Sequence, residues 1–178
     1  FVFGTISRLV PQKDLQTLIN AFSKISKEVR CKLVIVGDGV QRNELEKLVK
    51  SLNLESKVHF LGKRRDILEL LHAIDAFALT SKYEGLGLVL LEALASEVPI
   101  IAARNSAIKE IVNDEVALMF ETSSVPDLEK AMRDLINDPN ETSHRLQRGK
   151  VRVQQNFGVD SMLKQVTNIY MHILKDGL

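Results

Sequence analysis

Six short apolar or β-branched runs, FVFGTIS, CKLVIVG, KVHFLG, AFALTS, VPIIAAR and VALMF, alternate with stretches whose apolar residues recur at helical spacing, such as DLQTLINAFSKI, RNELEKLVKSL and RDILELLHAI. Alternation of this kind constrains the fold more than any other feature, because successive parallel strands need a helical crossover between them and the resulting sheet is covered on both faces. Strands are expected near residues 1–6, 32–37, 57–61, 75–80, 99–103 and 116–120, with a helix from Leu86 to Ser96 and a short one near Ala107 to Asn113. Beyond Phe120 the pattern is helical only: Pro126 to Ile136, Pro139 to Gln155 and Val159 to Leu174, with Asp138-Pro139 and Phe157-Gly158 as breaks. The expected fold is α/β, a Rossmann-like, doubly wound parallel sheet of six strands closed by C-terminal helices.

At 178 residues the chain can build one sizeable core, so a single domain is expected. Its 24 Lys and Arg against 23 Asp and Glu leave a formal charge of +1, which provides no global field toward nucleic acid or an anionic bilayer. Any anion site must therefore be local. The charge cluster His144, Arg145, Arg148, Lys150 and Arg152 reads as a solvated helix face, with peripheral membrane association as the other reading. The longest apolar run, inside Ser81 to Pro99, is interrupted by Glu92 and is too short for a membrane span. Cys31 is the only cysteine, so a disulfide framework is impossible within the chain and a cytoplasmic setting is expected. The sequence opens on Phe1 with no initiator Met or signal segment, and reads as a piece of a longer protein.

In a doubly wound sheet, ligands sit beyond the carboxyl ends of the strands where the strand order reverses. After the first strand come Arg8 and Lys13, flanking a turn with Pro11 that leads into a helix. Two cations beside a helix N-terminus suit a diphosphate, the Arg as a planar fork and the Lys as a mobile charge; the alternative is two exposed loop cations. After the second strand, Gly37-Asp38-Gly39 lacks the third glycine of a dinucleotide fingerprint, that position being Arg42. These glycines are read as a tight turn with close backbone approach. After the third strand, His59 to Asp66, including Gly62, Lys63 and Arg64, forms either the wall of a base pocket or a basic loop capped by Asp66.

The segment SKYEGLGLVLLEALASEVP holds two carboxylates in apolar company. Glu92 has Leu88, Val89, Ala95 and Ser96 at helical spacing, so no local cation is available, and burial would require a tertiary partner such as Arg8 or Lys13, or a ligand. Sugar hydroxyls are suitable donors to a carboxylate. Glu84 precedes the helix between Tyr83 and Gly85, where Gly85 and Gly87 allow close backbone approach of a phosphate. The alternative makes Glu84 a solvated loop residue and Glu92 half of an ion pair. No Asp-x-Asp, no paired metal-ligating histidines, no phosphate loop and no nucleophile elbow is present in the sequence, so no metal and no cofactor is expected.

Tyr83-Glu84-Gly85-Leu86-Gly87-Leu88 followed by Leu91-Glu92-Ala93, with seven residues between the glutamates, resembles the Glu-x7-Glu signature of retaining glycosyltransferases of the two-domain GT-B fold, group 1 family. Ser7 to Lys13, Leu33 to Gly39 and Val58 to Gly62 resemble further motifs of that family, so the likeness covers nearly the whole chain. The resemblance implies a C-terminal, nucleotide-sugar-binding domain whose N-terminal partner carries the acceptor site. It implies that Arg8 and Lys13 hold the donor diphosphate, that Glu84 contacts the donor sugar, and that Glu92 binds ribose. Backbone amides of Gly85, Leu86, Gly87 and Leu88 would serve phosphate and sugar, and Gly37, Gly62, Lys63 and Arg64 would line the base side. A UDP-sugar is favoured over a GDP-sugar, and the reaction would proceed without a metal, at the cytoplasmic side of the membrane. Three positions depart from the family: Ser7 stands where a glycine is usual, Glu97 replaces the glycine that usually ends the signature helix, so that its left-handed cap is expected to be lost, and Ser106 to Glu110 replaces a two-glycine turn. Loss of those glycines supports, as an alternative, a catalytically retired binding or interaction domain, in which Arg104 or Ser106 would fill the diphosphate site. The last helix is expected to expose an apolar stripe.

Overall fold

A computed structural model describes residues 1–175, the side chains of Ser106 and Lys175 apart. The strands are β1 (Val2–Ile6), β2 (Lys32–Val36), β3 (Val58–Gly62), β4 (Ala76–Leu79), β5 (Ile100–Ala103) and β6 (Leu118–Phe120). All neighbouring pairs are parallel, in the order β3-β2-β1-β4-β5-β6. The order reverses between β1 and β4, whose register pairs Phe3 with Ala76 and Gly4 with Phe77. This is the expected Rossmann-like sheet. Every residue of β4 and β5 is buried, as double-sided cover requires, which is why AFAL and IIAA carry no polar alternation.

Helices α1 (Leu15–Ile25), α2 (Arg42–Ser51), α3 (Ile67–His72), α4 (Leu88–Ala95), α5 (Ser106–Ile111), α6 (Val125–Asn137), α7 (Pro139–Asn156) and α8 (Val159–Lys175) complete the chain. On α1, Leu15, Leu18, Ile19, Phe22 and Ile25 recur at helical spacing and are buried. Phe22 meets Phe3 of β1 edge-on, at 6.5 Å between ring centroids. Helices α2 and α6 pack beside α1, while α4 packs on α7. Gly149 permits that second contact, since a Cβ there would come within 2.8 Å of the Leu94 side chain.

Two local expectations are corrected. Helix α4 starts at Leu88, because Gly87 takes φ +63° as its N-cap and ends helical geometry there. The left-handed C-cap expected to be lost at Glu97 is kept: Glu97 itself adopts φ +55°. Its N–H donates to the Leu94 carbonyl (3.2 Å) and the Val98 N–H to the Ala93 carbonyl (3.0 Å), the paired bonds of a Schellman ending. Lys150 holds the Glu97 carboxylate at 2.6 Å.

The basic cluster of α7 is a solvated face only in part: His144, Arg148 and Lys150 are exposed, whereas Arg145 and Arg152 are half-buried, and the three arginines also bond backbone carbonyls. Arg145 donates to the carbonyls of Asp114 and Ala117, Arg148 to that of Glu115 (2.6 Å), and Arg152 to those of Ile111 (2.6 Å) and Glu110 (2.9 Å). They clamp the end of α5 and the turn into β6, and Arg152 also complements the negative end of the α5 dipole. Helix α8 bears out its expected stripe, with Met162, Val166, Ile169, Tyr170 and Ile173 all exposed. Among the described residues, no helix is long and apolar enough to cross a membrane.

Candidate functional site

The reversal between β1 and β4 brings the segments after both strands side by side. After β1 the chain makes a single 3₁₀ turn, Pro11–Lys13, and Asp14 at φ +50° redirects it into α1. After β4, Thr80 to Glu84 runs against that turn and is stitched to it. The Thr80 hydroxyl donates to the Lys13 carbonyl (2.7 Å), the Lys82 N–H to the Gln12 carbonyl (2.9 Å), and the Gln12 amide to the Tyr83 carbonyl (2.7 Å).

Across this seam the Lys13 ammonium meets Glu84 Oε1, and the Ser81 hydroxyl donates to the same oxygen at 2.7 Å. The pair is largely enclosed, with side chains 12% and 9% exposed. Glu84 is therefore not a solvated loop residue. The two groups balance each other in a site that would be costly for either alone.

Arg8 is brought to the same edge but stays exposed, with no side-chain partner among the described residues. Gly37 and Gly39 act as expected for close approach. Gly37 has φ +128°, a Cβ there would collide with the Ser7 carbonyl oxygen, and one on Gly39 would collide with that of Leu9. Bonds from Ser7 N–H to the Val36 carbonyl (2.9 Å) and from Leu9 N–H to the Asp38 carbonyl (3.0 Å) zip the two loops together. Ser7 does not adopt a positive φ, so its backbone conformation does not require glycine.

The N-terminus of α1 does not stand open for an anion. Buried Asp14 lies there, accepting from the Ser123 hydroxyl at 2.5 Å and 4.0 Å from the Lys82 ammonium. An open helix start beside this seam is that of α4, where Gly87 gives no side-chain cap. The backbone N–H groups of Gly85, Leu86, Gly87 and Leu88 find no acceptor among the described residues.

Glu92 departs most from expectation. It lies exposed on the outer face of α4 beside Leu88, itself 62% exposed, while Leu90, Ala93 and Leu94 fill the inner face. Neither Arg8 nor Lys13 touches it; Lys13 is held by Glu84. The apolar neighbours that suggested burial are in part exposed as well.

On the far side, β3 stands two strands from β1, about 10 Å at ordinary strand spacing. Gly62, at φ +68°, accepts from the Gly37 N–H at 2.8 Å, joining that edge to the same surface. Lys63 is exposed and unpartnered among the described residues. Arg64 grips Asp66 with two bonds of 2.9 and 2.5 Å, which hold the Asp66 carboxyl below the usual range and keep it from capping α3. Arg104 is committed to Asp114 (2.8 and 2.5 Å) and Glu121 (3.2 Å), so it does not fill the site between β1 and β4; the Ser106 side chain lies outside the described residues. A concavity of ≈ 510 Å³ is lined by Phe1, Lys27, Arg30, Cys31 and Lys57 and lies at the opposite, amino end of the sheet.

Sequence reasoning missed Ser81 and Asn105. The Asn105 amide donates to the Ser81 carbonyl at 2.9 Å, and its oxygen accepts from the Ile108 N–H at 3.1 Å. An Asn just before a helical run is a legible cap signal, but its second bond is set by tertiary structure.

The family model described as glycosyl transferases group 1 matches residues 1–151. The chain belongs to the group 1 glycosyltransferases. Over 172 residues this group 1 chain is 34% identical to the N-acetyl-alpha-D-glucosaminyl L-malate synthase of Bacillus anthracis, covering 96% of the chain and 45% of that protein. It is 32% identical to a GDP-mannose-dependent monoacylated alpha-(1-6)-phosphatidylinositol monomannoside mannosyltransferase of Corynebacterium glutamicum, covering 94% of the chain and 46% of the relative. Among solved structures, Anabaena HepE in complex with UDP superposes with a TM-score of 0.89 at 28% identity, covering 97% of this chain and 49% of that one. The chain thus spans about half the length of the relatives it matches.

Proposed function

We propose that this chain is the C-terminal, nucleotide-sugar-binding half of a retaining glycosyltransferase that moves a sugar from a nucleoside-diphosphate donor to a saccharide or lipid-linked acceptor at the cytoplasmic side of the membrane. The observation that carries this reading is the meeting of Lys13 and Glu84 at the reversal between β1 and β4. Lys13 and Arg8 neutralise the leaving diphosphate without a metal ion, so catalysis by this half is mainly electrostatic. The donor phosphate competes with Glu84 for the Lys13 ammonium, and Glu84 accepts a hydroxyl of the donor sugar. The unpaired N–H groups of Gly85 to Leu88 receive phosphate and sugar oxygens at the start of α4. Glu92 accepts the ribose hydroxyls from the outer face of α4, and Gly37, Gly62, Lys63 and Arg64 line the base side. Retention follows from attack on the face the diphosphate leaves. A UDP-sugar is favoured, in keeping with the UDP bound to HepE.

The N-terminal half of the full-length protein completes the cleft and carries the acceptor site. Its packing against α8 would cover the exposed stripe of Met162, Val166, Ile169 and Ile173. Calorimetric titration of the full-length protein with UDP-, GDP- and ADP-sugars is expected to give saturable binding, unaffected by EDTA and reduced at least tenfold in Arg8→Ala. Flat titrations with all three would end the reading.

A further inference from the structure

The carboxylate of Glu84 uses its two oxygens unequally. Oε1 receives both the Lys13 ammonium and the Ser81 hydroxyl, whereas Oε2 has no partner among the described residues. A lysine alone is a mobile point charge that tolerates several carboxylate rotamers. A hydroxyl arriving from a second direction removes that freedom, provided the hydroxyl is itself fixed.

Ser81 is fixed. It is fully buried, and its carbonyl is tied at 2.9 Å to the amide of Asn105, which also caps α5 through the Ile108 N–H. On the other flank, Gln12 and the Lys13 carbonyl hold Tyr83 and Thr80. The residues around Glu84 are therefore anchored from both sides, and Asn105 provides the side-chain anchor on the α5 side.

We propose that Ser81 and Asn105 are positioning residues for Glu84, holding its carboxylate so that Oε1 is committed to the protein and Oε2 is left to accept a hydroxyl of a bound sugar. The inference rests on the reading of Glu84 as the sugar contact. It matters for rate and affinity because a polar contact displaced by a fraction of an ångström loses much of its value.

Two variants isolate the effect. Asn105→Asp keeps an oxygen that caps α5 as well as Asn does, but sets a carboxylate against the Ser81 carbonyl in place of a donor. Ser81→Ala removes the hydroxyl and leaves the Asn105 bond. In the full-length protein, affinities for UDP and for UDP-glucose are compared, or for GDP and GDP-mannose if the wild type prefers that pair. The expected result is UDP affinity within twofold of wild type and an approximately tenfold loss in the preference for the sugar nucleotide over the bare nucleotide, in both variants. Equal losses for the two ligands, or none for either, would overturn the proposal, since a merely structural role does not distinguish them. If Asn105→Asp does not fold, Ser81→Ala carries the same readout. A crystal structure of a variant without ligand gives a test independent of the donor: the Ser81–Glu84 contact should open beyond 3.5 Å in Asn105→Asp, and the Glu84 carboxylate should rotate in Ser81→Ala. An unmoved carboxylate in both sinks the positioning role. If the wild type binds none of the uridine, guanosine and adenosine diphosphates or their sugars, the donor reading fails, and that crystallographic result still decides whether Ser81 and Asn105 position Glu84.

Discussion

Glu84 and Glu92 belong to one short segment, yet the fold treats the loop before α4 and the outer face of α4 in opposite ways. Glu84 is enclosed, with Lys13 and Ser81 on one oxygen and the loop around it stitched to the turn after β1. Glu92 stands exposed, and neither of its oxygens has a partner among the described residues. The enclosed carboxylate is coupled to stability as well as to any ligand; the exposed one has no such tie to stability.

The largest effect should come from breaking the enclosed side. In the full-length protein, Glu84→Gln is expected to lower the rate of transfer by about 10²–10³-fold, comparable to the loss of one electrostatic contact to a reacting centre. Steady-state kinetics with the donor found by titration checks this. Next in size is Lys13→Met, which leaves Glu84 charged and unpaired and should destabilise the fold by about 3 kcal/mol in urea denaturation. The double variant Lys13→Met/Glu84→Gln should recover most of that loss, and failure to recover it would show that Lys13 acts through packing. Glu92→Gln should sharpen the contrast: stability unchanged within about 0.5 kcal/mol, and donor affinity lowered about tenfold by calorimetry.

Smaller effects extend the comparison to a third glutamate and to an exposed pair. Glu97→Gly relieves a left-handed side chain but gives up the exposed contact to Lys150, for a net gain of about 0.5 kcal/mol in unfolding free energy, read as a higher urea midpoint. Smallest is the pH response of Asp114, whose carboxyl is held below the usual range chiefly by hydrogen bonds from Arg104. Its stabilising contribution is complete above the ordinary aspartate value of about 4 and is lost as pH falls through the depressed value. Asp114→Asn should therefore lower the melting temperature slightly at pH 6, and the difference should vanish in strong acid.

Much of the fold was legible because strand and helix impose different periods. CKLVIVG and VPIIAAR name their strands through β-branched residues, and Leu15, Leu18, Phe22 and Ile25 mark one face of α1. Around the site, legibility stopped where the third dimension chooses among partners. Arg8, Lys13 and Glu84 stood out as charged residues just after strands, but nothing local says that Lys13 meets Glu84 and not Glu92. The exposure of Glu92 was misjudged because α4 is apolar around most of its circumference, so its composition does not reveal which face turns outward. Likewise Glu97 hides a left-handed cap that glycine would have announced, and the α7 arginines donate to backbone carbonyls, acceptors that every residue carries.

That arginine clamp has a consequence for how the domain opens. Because Arg145, Arg148 and Arg152 hold five carbonyls between Glu110 and Ala117, α5 and the turn into β6 cannot detach while α7 stays docked. Amide exchange in these segments should therefore proceed as one cooperative unit with α7, leaving short α5, the helix Asn105 caps beside Ser81, about as protected as its long neighbour.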